Sequence, residues 1–245
     1  MAALIISVAS VQAQKSQVIA HRGYWKTAGS AQNSITSLQK ADSIHCYGSE
    51  FDVWLAKDNK LVVNHDPVYK MKYMEYSKGD ALTGLKLSNG ENLPSLQKYL
   101  EAGKKCNTKL ILELKAHNSK KRETKAVQEI LAMVKKMGLE DRMEYITFSL
   151  HAMKEFIRLA PAGTSVFYLN GELSPKELKD LGAAGPDYHM GVIKKHPEWI
   201  KEAHDLGLKV NVWTVDKAED MKWLIDQKVD FITTNEPIVA QDMLK

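Results

Sequence analysis

The chain has 245 residues, 44% of them hydrophobic and 26% charged, with a formal net charge of +4. These are the proportions of an ordinary soluble globular protein with a sizeable core. The positive charge is mild and falls in short pieces such as Lys104-Lys105, Lys120-Lys121-Arg122 and Lys135-Lys136, with no basic stripe interleaved with aromatics, so nucleic acid is excluded as a partner.

In chain order, the first segment, MAALIISVASVQAQ, is small and apolar and carries no charge before Lys15. Val11-Gln12-Ala13 offers a small-x-small cleavage site, and the stretch is too short to span a bilayer. It reads as the remnant of a signal peptide over 1–14, with a first barrel strand or a tail as the alternative. Export would place the protein in the periplasm or cell envelope of a bacterium, without stable membrane insertion. The folded domain is then a single unit over 15–245.

Apolar or alternating runs that read as strands are Val18–Ala20, Ser49–Trp54, Lys109–Leu114, Glu144–Phe148, Ser165–Leu169, Asp187–Val192, Lys209–Trp213 and Asp230–Thr233. Helical spacing lies between them. TKAVQEILAMVKKMG puts Val127, Ile130, Leu131 and Val134 on one face and stops at Gly138. HPEWIKEAHDLG has Pro197 in its first turn, buries Trp199, Ala203 and Leu206, and ends at Gly207; KAEDMKWLIDQK repeats the logic with Met221, Leu224 and Ile225. Strands alternating with helices point to a TIM-like (β/α)8 barrel. An open doubly wound sheet is the rival, but no glycine-rich strand-to-helix turn of dinucleotide type appears. The segment 67–93 breaks the rhythm; it is rich in Tyr, Lys and Gly, shows no long helix, and reads as a small insertion after the second strand unit. Cys46 and Cys106 each precede a strongly apolar strand, near the N-terminal rim of neighbouring strands. They are open to two readings, a disulfide or two separate buried thiols.

In a parallel barrel the strand C-termini converge on one mouth. The first strand ends in His21-Arg22-Gly23. The second carries Glu50 and Asp52, two apart and so on one side of the pleat. LVVNHD presents His65-Asp66 at the end of another apolar run, and LILELK carries Glu113 and Lys115. Barrel strands are buried on both faces, so charges within them cost several kcal/mol unless paired or metal-bound. Three inward carboxylates, Glu50, Asp52 and Glu113, would repel one another unless a hard cation joined them, and all-oxygen ligation favours Ca2+ or Mg2+ over Zn2+. His45, His117, His151, His189, His196 and His204 read as structural. His21 and His65 each end a strand beside the metal position, as a general acid and a general base would. Arg22 and Lys115 match phosphate oxygens. The set describes phosphoryl transfer more economically than sugar or carbonyl chemistry.

These residues resemble the glycerophosphodiester phosphodiesterase family. Its pattern appears here, in order, as His21-Arg22-Gly23, Gln32-Asn33-Ser34, Glu50-Phe51-Asp52-Val53, Val63-Asn64-His65-Asp66, Leu93-Pro94-Ser95-Leu96 and Glu113-Leu114-Lys115, with VNVWTVD and FITTNEP like its seventh and eighth strands. The resemblance implies metal-dependent hydrolysis of a small glycerophosphodiester to glycerol 3-phosphate and an alcohol, on a TIM-like barrel whose 67–93 insertion caps the mouth. It implies Glu50, Asp52 and Glu113 as ligands of one Ca2+ or Mg2+, His21 and His65 as the acid–base pair, Arg22 and Lys115 as phosphate holders, and Trp213 as an apolar wall for glycerol or the alcohol. Gln32 departs from the family's usual Glu, keeping its shape and its capacity to accept a hydrogen bond. Two rival readings are a related barrel of phospholipase C or D type acting on intact lipid, and a non-catalytic barrel that binds phosphodiesters or glycans.

Overall fold

The computed structural model describes residues 15–245, so the leader expected over 1–14 lies outside the described residues. The first half runs β1 (Gln17–Ala20), α1 (Ile35–Ser43), β2 (Gly48–Leu55), β3 (Leu61–Val63), β4 (Val68–Tyr69), β5 (Lys72–Tyr73), α2 (Gly79–Thr83), α3 (Leu96–Gly103) and β6 (Lys109–Leu114). The second runs α4 (Lys120–Met137), β7 (Met143–Thr147), α5 (Leu150–Leu159), β8 (Val166–Tyr168), α6 (Pro175–Asp180), β9 (Gly185–His189), α7 (Met190–Lys195), α8 (Glu198–Asp205), β10 (Asn211–Trp213), α9 (Ala218–Asp226), β11 (Phe231–Thr234) and α10 (Pro237–Met243).

Strands β1, β2, β6, β7, β8, β9, β10 and β11 pair in that order, all parallel, and β11 pairs back onto β1 with Gln17 opposite Phe231 and Ala20 opposite Thr234. Among the described residues this is a closed eight-stranded parallel barrel ringed by helices, as the alternation of runs predicts. β3 lies outside the ring, antiparallel to β2 with Val53 opposite Val63.

Alternation sorts each strand's side chains. Val18, Phe51, Val53, Leu110 and Leu112 join the helix faces in the main core. Ile19, Ile111, Ile146, Phe167, Leu169 and Phe231 form a second cluster on the barrel axis. Burial on both sides leaves every position of β2 inaccessible, which is why its sequence shows no polar face apart from the charges the site uses. Gly48 lies under Ile111, where a Cβ would come within 2.5 Å of Cδ1. The same parity carries Glu50 and Asp52 inward above it.

The helices start where the sequence offers a cap. Ser34, Ser95, Ser119, Ser149 and Ser174 each accept a backbone N–H at a helix N-terminus, and Gly138 closes α4 at φ 64°. The run expected as one strand over Asp187–Val192 divides instead. β9 stops at His189, whose Nδ1 accepts from Gly191 N at 3.0 Å and so opens α7 at Met190. In α4, Val127, Ile130 and Val134 are buried as expected, while Leu131 is half-buried. α8 buries Ile200 and Ala203; Trp199 and Leu206 are half-buried, the indole stacking on His196 at 4.3 Å. α9 buries Met221 and Leu224 and leaves Ile225 at the edge.

Segment 67–93 holds the β4–β5 hairpin and α2. Its Met74, Leu82, Leu87 and Leu93 make a separate small core with Ala31, Trp54, Ala56 and Val62. Cys46 and Cys106 are buried free thiols, and burial pushes the Cys46 thiol up to about 12. Among the described residues no helix is long and apolar enough to cross a membrane.

Candidate active site

Each charged group at the barrel mouth is delivered by local backbone geometry. After β1 the chain turns sharply at Arg22 (φ 57°) and Gly23 (φ 74°). A Cβ on Gly23 would come within 2.7 Å of the Ser37 carbonyl carbon, so only glycine lets the turn lie against α1. Ser37 Oγ donates to Arg22 O (3.0 Å), and Asn33 N donates to the same oxygen (3.0 Å). The turn presents two donors to the carboxylates of β2: Arg22 N donates to Glu50 Oε2 at 2.7 Å, and Arg22 Nε lies 3.8 Å from Asp52 Oδ2.

Asn33, at φ 60° just before the α1 cap, grips Asp52 at both ends. Its Nδ2 donates to Oδ2 (2.8 Å), and its Oδ1 accepts from Asp52 N (3.1 Å). Parallel pairing sets Asp52 opposite Glu113, and Lys115 Nζ lies 3.3 Å from Asp52 Oδ1 and 2.7 Å from Glu113 Oε1. Among the described residues Glu113 Oε1 and Glu50 Oε1 are both buried without a directed hydrogen bond.

Glu50, Asp52 and Glu113 each offer an oxygen within 4.8 Å of the other two. Burial first, then the charges of Asp52 and Glu113, hold the Glu50 carboxyl well above the usual carboxylate range. Burial and Asp52 push Glu113 up to about 7. Asp52 is buried too, but Lys115, His65 and Arg22 outweigh the burial and hold it below its ordinary value. Crowded acids with orphaned oxygens fit a hard divalent cation, which would satisfy those oxygens and relieve the repulsion. With all three carboxylates ionised around it, a divalent ion together with Arg22 and Lys115 would give the group one net positive charge, as an anionic substrate requires.

The two imidazoles arrive from different directions. His21 Nδ1 meets Asn235 Oδ1 at 2.9 Å and its Nε2 lies 3.9 Å from Glu50 Oε2. Burial first, then Arg22, pushes the His21 ring down to about 4. His65 follows β3, so it enters from beside the ring rather than from a barrel strand, its carbonyl held by Trp54 Nε1 (3.3 Å) and its Nδ1 against Asp66 Oδ1 (2.7 Å). Gln32 Oε1 accepts from Arg22 Nη1 at 2.7 Å, the service expected of it. Trp213 stands on the axis, donating from Nε1 to Asp187 O at 2.9 Å, with Phe148 at its edge. Of the histidines read as structural, His117 accepts from Leu55 N and pairs with Lys115 O, His151 pairs with Thr124, and His204 pairs with Asp230.

Two cavities meet at His65. A small one of about 100 Å³ lies over the axis, lined by His21, Arg22, Glu50, Glu113, Trp213 and apolar Ile146, Phe148 and Leu169. A wider one of about 410 Å³ opens between the HRG loop and the insertion, with Trp25, Lys26, Asp66 and Tyr69 in its walls. Sequence reasoning assigned no role to Asn33, Asp187, Asp216 or Asn235, although Asn33, Asp216 and Asn235 stand inside motifs it quoted. Asp187 is fully buried at the floor of the small cavity, with Oδ1 unpartnered; burial pushes its carboxyl up to about 8.

Comparison with known proteins places this geometry. Residues 21–239 match the profile of the glycerophosphoryl diester phosphodiesterase family. The chain is 27% identical over 238 residues to a glycerophosphodiester phosphodiesterase of Caldanaerobacter subterraneus subsp. tengcongensis, covering 91% of this chain and 95% of that one. It is 52% identical to a solved glycerophosphodiester phosphodiesterase from Parabacteroides distasonis, with a TM-score of 0.93 over 94% of this chain and 97% of that one. An Oleispira antarctica phosphodiesterase, solved with its product sn-glycerol-3-phosphate, shares the fold at 22% identity and a TM-score of 0.81, over 94% and 97% of the two chains.

Proposed function

The chain belongs to the glycerophosphoryl diester phosphodiesterase family, and from that membership we propose that it hydrolyses glycerophosphodiesters to glycerol 3-phosphate and a free alcohol, aided by one Ca2+ or Mg2+ ion. The observation that carries this reading is the meeting of Glu50, Asp52 and Glu113, two of which, Glu50 and Glu113, line the cavity that His21 and His65 also line. Glu50, Asp52 and Glu113 hold the cation. Bound there, it supplies Lewis-acid neutralisation of a non-bridging phosphate oxygen.

The chain's own residues do the rest. Arg22 keeps its Nε buried and without a hydrogen-bond partner among the described residues, and Lys115 Nζ stands between two carboxylates; both are donors for the phosphate. His21 and His65 serve as the acid–base pair, one taking a proton from the nucleophile and the other giving one to the departing alcohol. The small cavity takes the glycerol, its carbon face against Trp213, and the wider one takes the alcohol, since His65 borders both. Gln32 does not disable the site, because it still fixes Arg22 through its carbonyl oxygen.

His21→Ala and His65→Ala are each expected to lower kcat by about a hundredfold or more on a panel of glycerophosphodiesters, and EDTA to abolish turnover until Ca2+ or Mg2+ is restored. Wild-type kcat in either variant would overturn the assignment. Turnover of phospholipid vesicles but of none of the deacylated diesters would transfer the reading to an intact-lipid enzyme. The proposal extends to location: the apolar leader over 1–14 directs export, to be checked by N-terminal sequencing of the protein recovered from periplasmic and envelope fractions.

A further inference from the structure

His21 is the one residue of the proposed acid–base pair whose ring nitrogen faces a side chain far away in the sequence. Its partner Asn235 follows β11, 214 residues on. Asn235 is in turn held by Asp216, from the loop after β10. Asp216 Oδ2 accepts from Asn235 Nδ2 (2.8 Å), and Oδ1 accepts from Asn235 N (2.8 Å) and Thr234 Oγ1 (3.1 Å). Burial would raise the Asp216 carboxyl, but these hydrogen bonds outweigh it and hold the group below its ordinary value. It is therefore a carboxylate, which can only accept.

An acceptor-only partner at one end of the Asn235 amide requires the NH2 to lie there and the oxygen to lie at the other end. The second partner agrees. Trp25 Nε1, which can only donate, lies 2.9 Å from Asn235 Oδ1. A flipped amide would set NH2 against the indole N–H and oxygen against the carboxylate, two repulsions in place of two hydrogen bonds. With its direction settled from both sides, Asn235 Oδ1 offers its remaining lone pair to His21 Nδ1 at 2.9 Å. That contact is a hydrogen bond only if Nδ1 carries the hydrogen.

We propose that Asp216 and Asn235 are positioning residues that hold His21 with Nδ1–H towards Asn235, so that Nε2, on the side of Glu50 and the cavity, is the nitrogen that exchanges a proton with substrate. The assignment rests on the acid–base reading of His21 given above and adds to it which nitrogen works and what aims it. The lock joins three adjacent barrel strands, since β10, β11 and β1 supply Asp216, Asn235 and His21. Losing it would let the ring populate both tautomers and turn about its Cβ–Cγ bond. Outer partners of this kind typically control activity by about 10–100-fold.

The test is ¹⁵N NMR of the full-length, histidine-labelled enzyme at about pH 8, where an ordinary imidazole is neutral, with His21 assigned by its absence in His21→Gln. The wild-type ring is expected to show a protonated Nδ1 and an unprotonated Nε2. Asn235→Ala should give a mixture of tautomers and a kcat lower by about 10–100-fold. Asn235→Asp combined with Asp216→Asn exchanges donor and acceptor between the two side chains while keeping an acceptor towards His21, and should restore the Nδ1–H form and recover more of kcat than Asn235→Ala does. Asp216→Asn removes the acceptor-only partner without changing shape, and should move the tautomer ratio towards Nε2–H. A single Nδ1–H form in Asn235→Ala would overturn the lock, whether kcat holds or falls, because a fall would then come from packing alone. A wild-type protein that turns over no diester yet shows the Nδ1–H signature would overturn the hydrolase reading and support the lock.

Discussion

Asp187 is a carboxyl group at the floor of a cavity with no ion-pair partner among the described residues. Burial pushes it up to about 8, far above the value an unfolded aspartate has. A raised folded-state value means that the folded protein holds the proton more tightly than the unfolded chain. The stability this contributes is complete below about pH 4, where both states are protonated, and is lost as pH rises towards 8. Asp187→Asn removes the dependence without changing shape. It is expected to leave Tm unchanged at about pH 4 and to raise it by several degrees at about pH 8, read by calorimetry at the two values. Equal shifts at both would show that Asp187 ionises freely in the folded state. At this scale the sequence disclosed the charged groups well: Glu50, Asp52, Glu113, His21 and His65 stand where a barrel mouth was expected to gather them. It disclosed their neutral partners poorly. An asparagine such as Asn33 or Asn235 has no pattern of its own, and its meaning depends on which distant side chain its amide meets.

The elements were readable in proportion to how much of their stability is local. α4 has an amphipathic face and a glycine stop within its own sequence, and it ends at that stop, while its start at Lys120, capped by Ser119, lies a turn before the stretch whose spacing was read. β9 is the contrary case. GPDYH has little strand pattern, and its path is imposed by a neighbour: a Cβ on Gly185, at φ 151°, would fall 1.9 Å from Lys209 O. Gly185→Ala must therefore push β9 away from the chain entering β10 and adopt a backbone angle that L-residues avoid. The expected cost is more than about 2 kcal/mol in urea unfolding, from backbone strain and lost pairing together. An unchanged midpoint would show that β9 tolerates a wider spacing. The insertion escaped detailed reading for a similar reason. Its two-residue strands and short helix are held by Met74, Leu82, Leu87 and Leu93 packing on Trp54 and Val62, a cluster assembled from segments far apart in the sequence.

At the scale of the whole molecule, the barrel was legible because eight apolar runs separated by helices leave few ways to bury both faces of every strand. What the sequence alone could not state is how crowded the finished mouth would be. Three carboxylates within 4.8 Å of one another, only partly offset by Lys115 and Arg22, oppose folding, and a divalent cation among them would relieve that cost. Ca2+ or Mg2+ is therefore expected to raise Tm with concentration, by the equivalent of about 2.7 kcal/mol at a hundred times Kd, and EDTA to lower it. Glu113→Gln should blunt the response, while a Tm indifferent to either ion would refute a cation at this place. The seam between β1 and β11 has a consequence for the protein's birth. As the nascent chain leaves the ribosome, both imidazoles and all three acids emerge long before Asn235, and the ring cannot shut until the final strand arrives. A polypeptide broken off after Lys115 but short of that strand would carry both histidines and all three acids without a closed barrel and is expected to be inert towards phosphodiesters, so translation errors near the end would leave silent fragments rather than uncontrolled hydrolases.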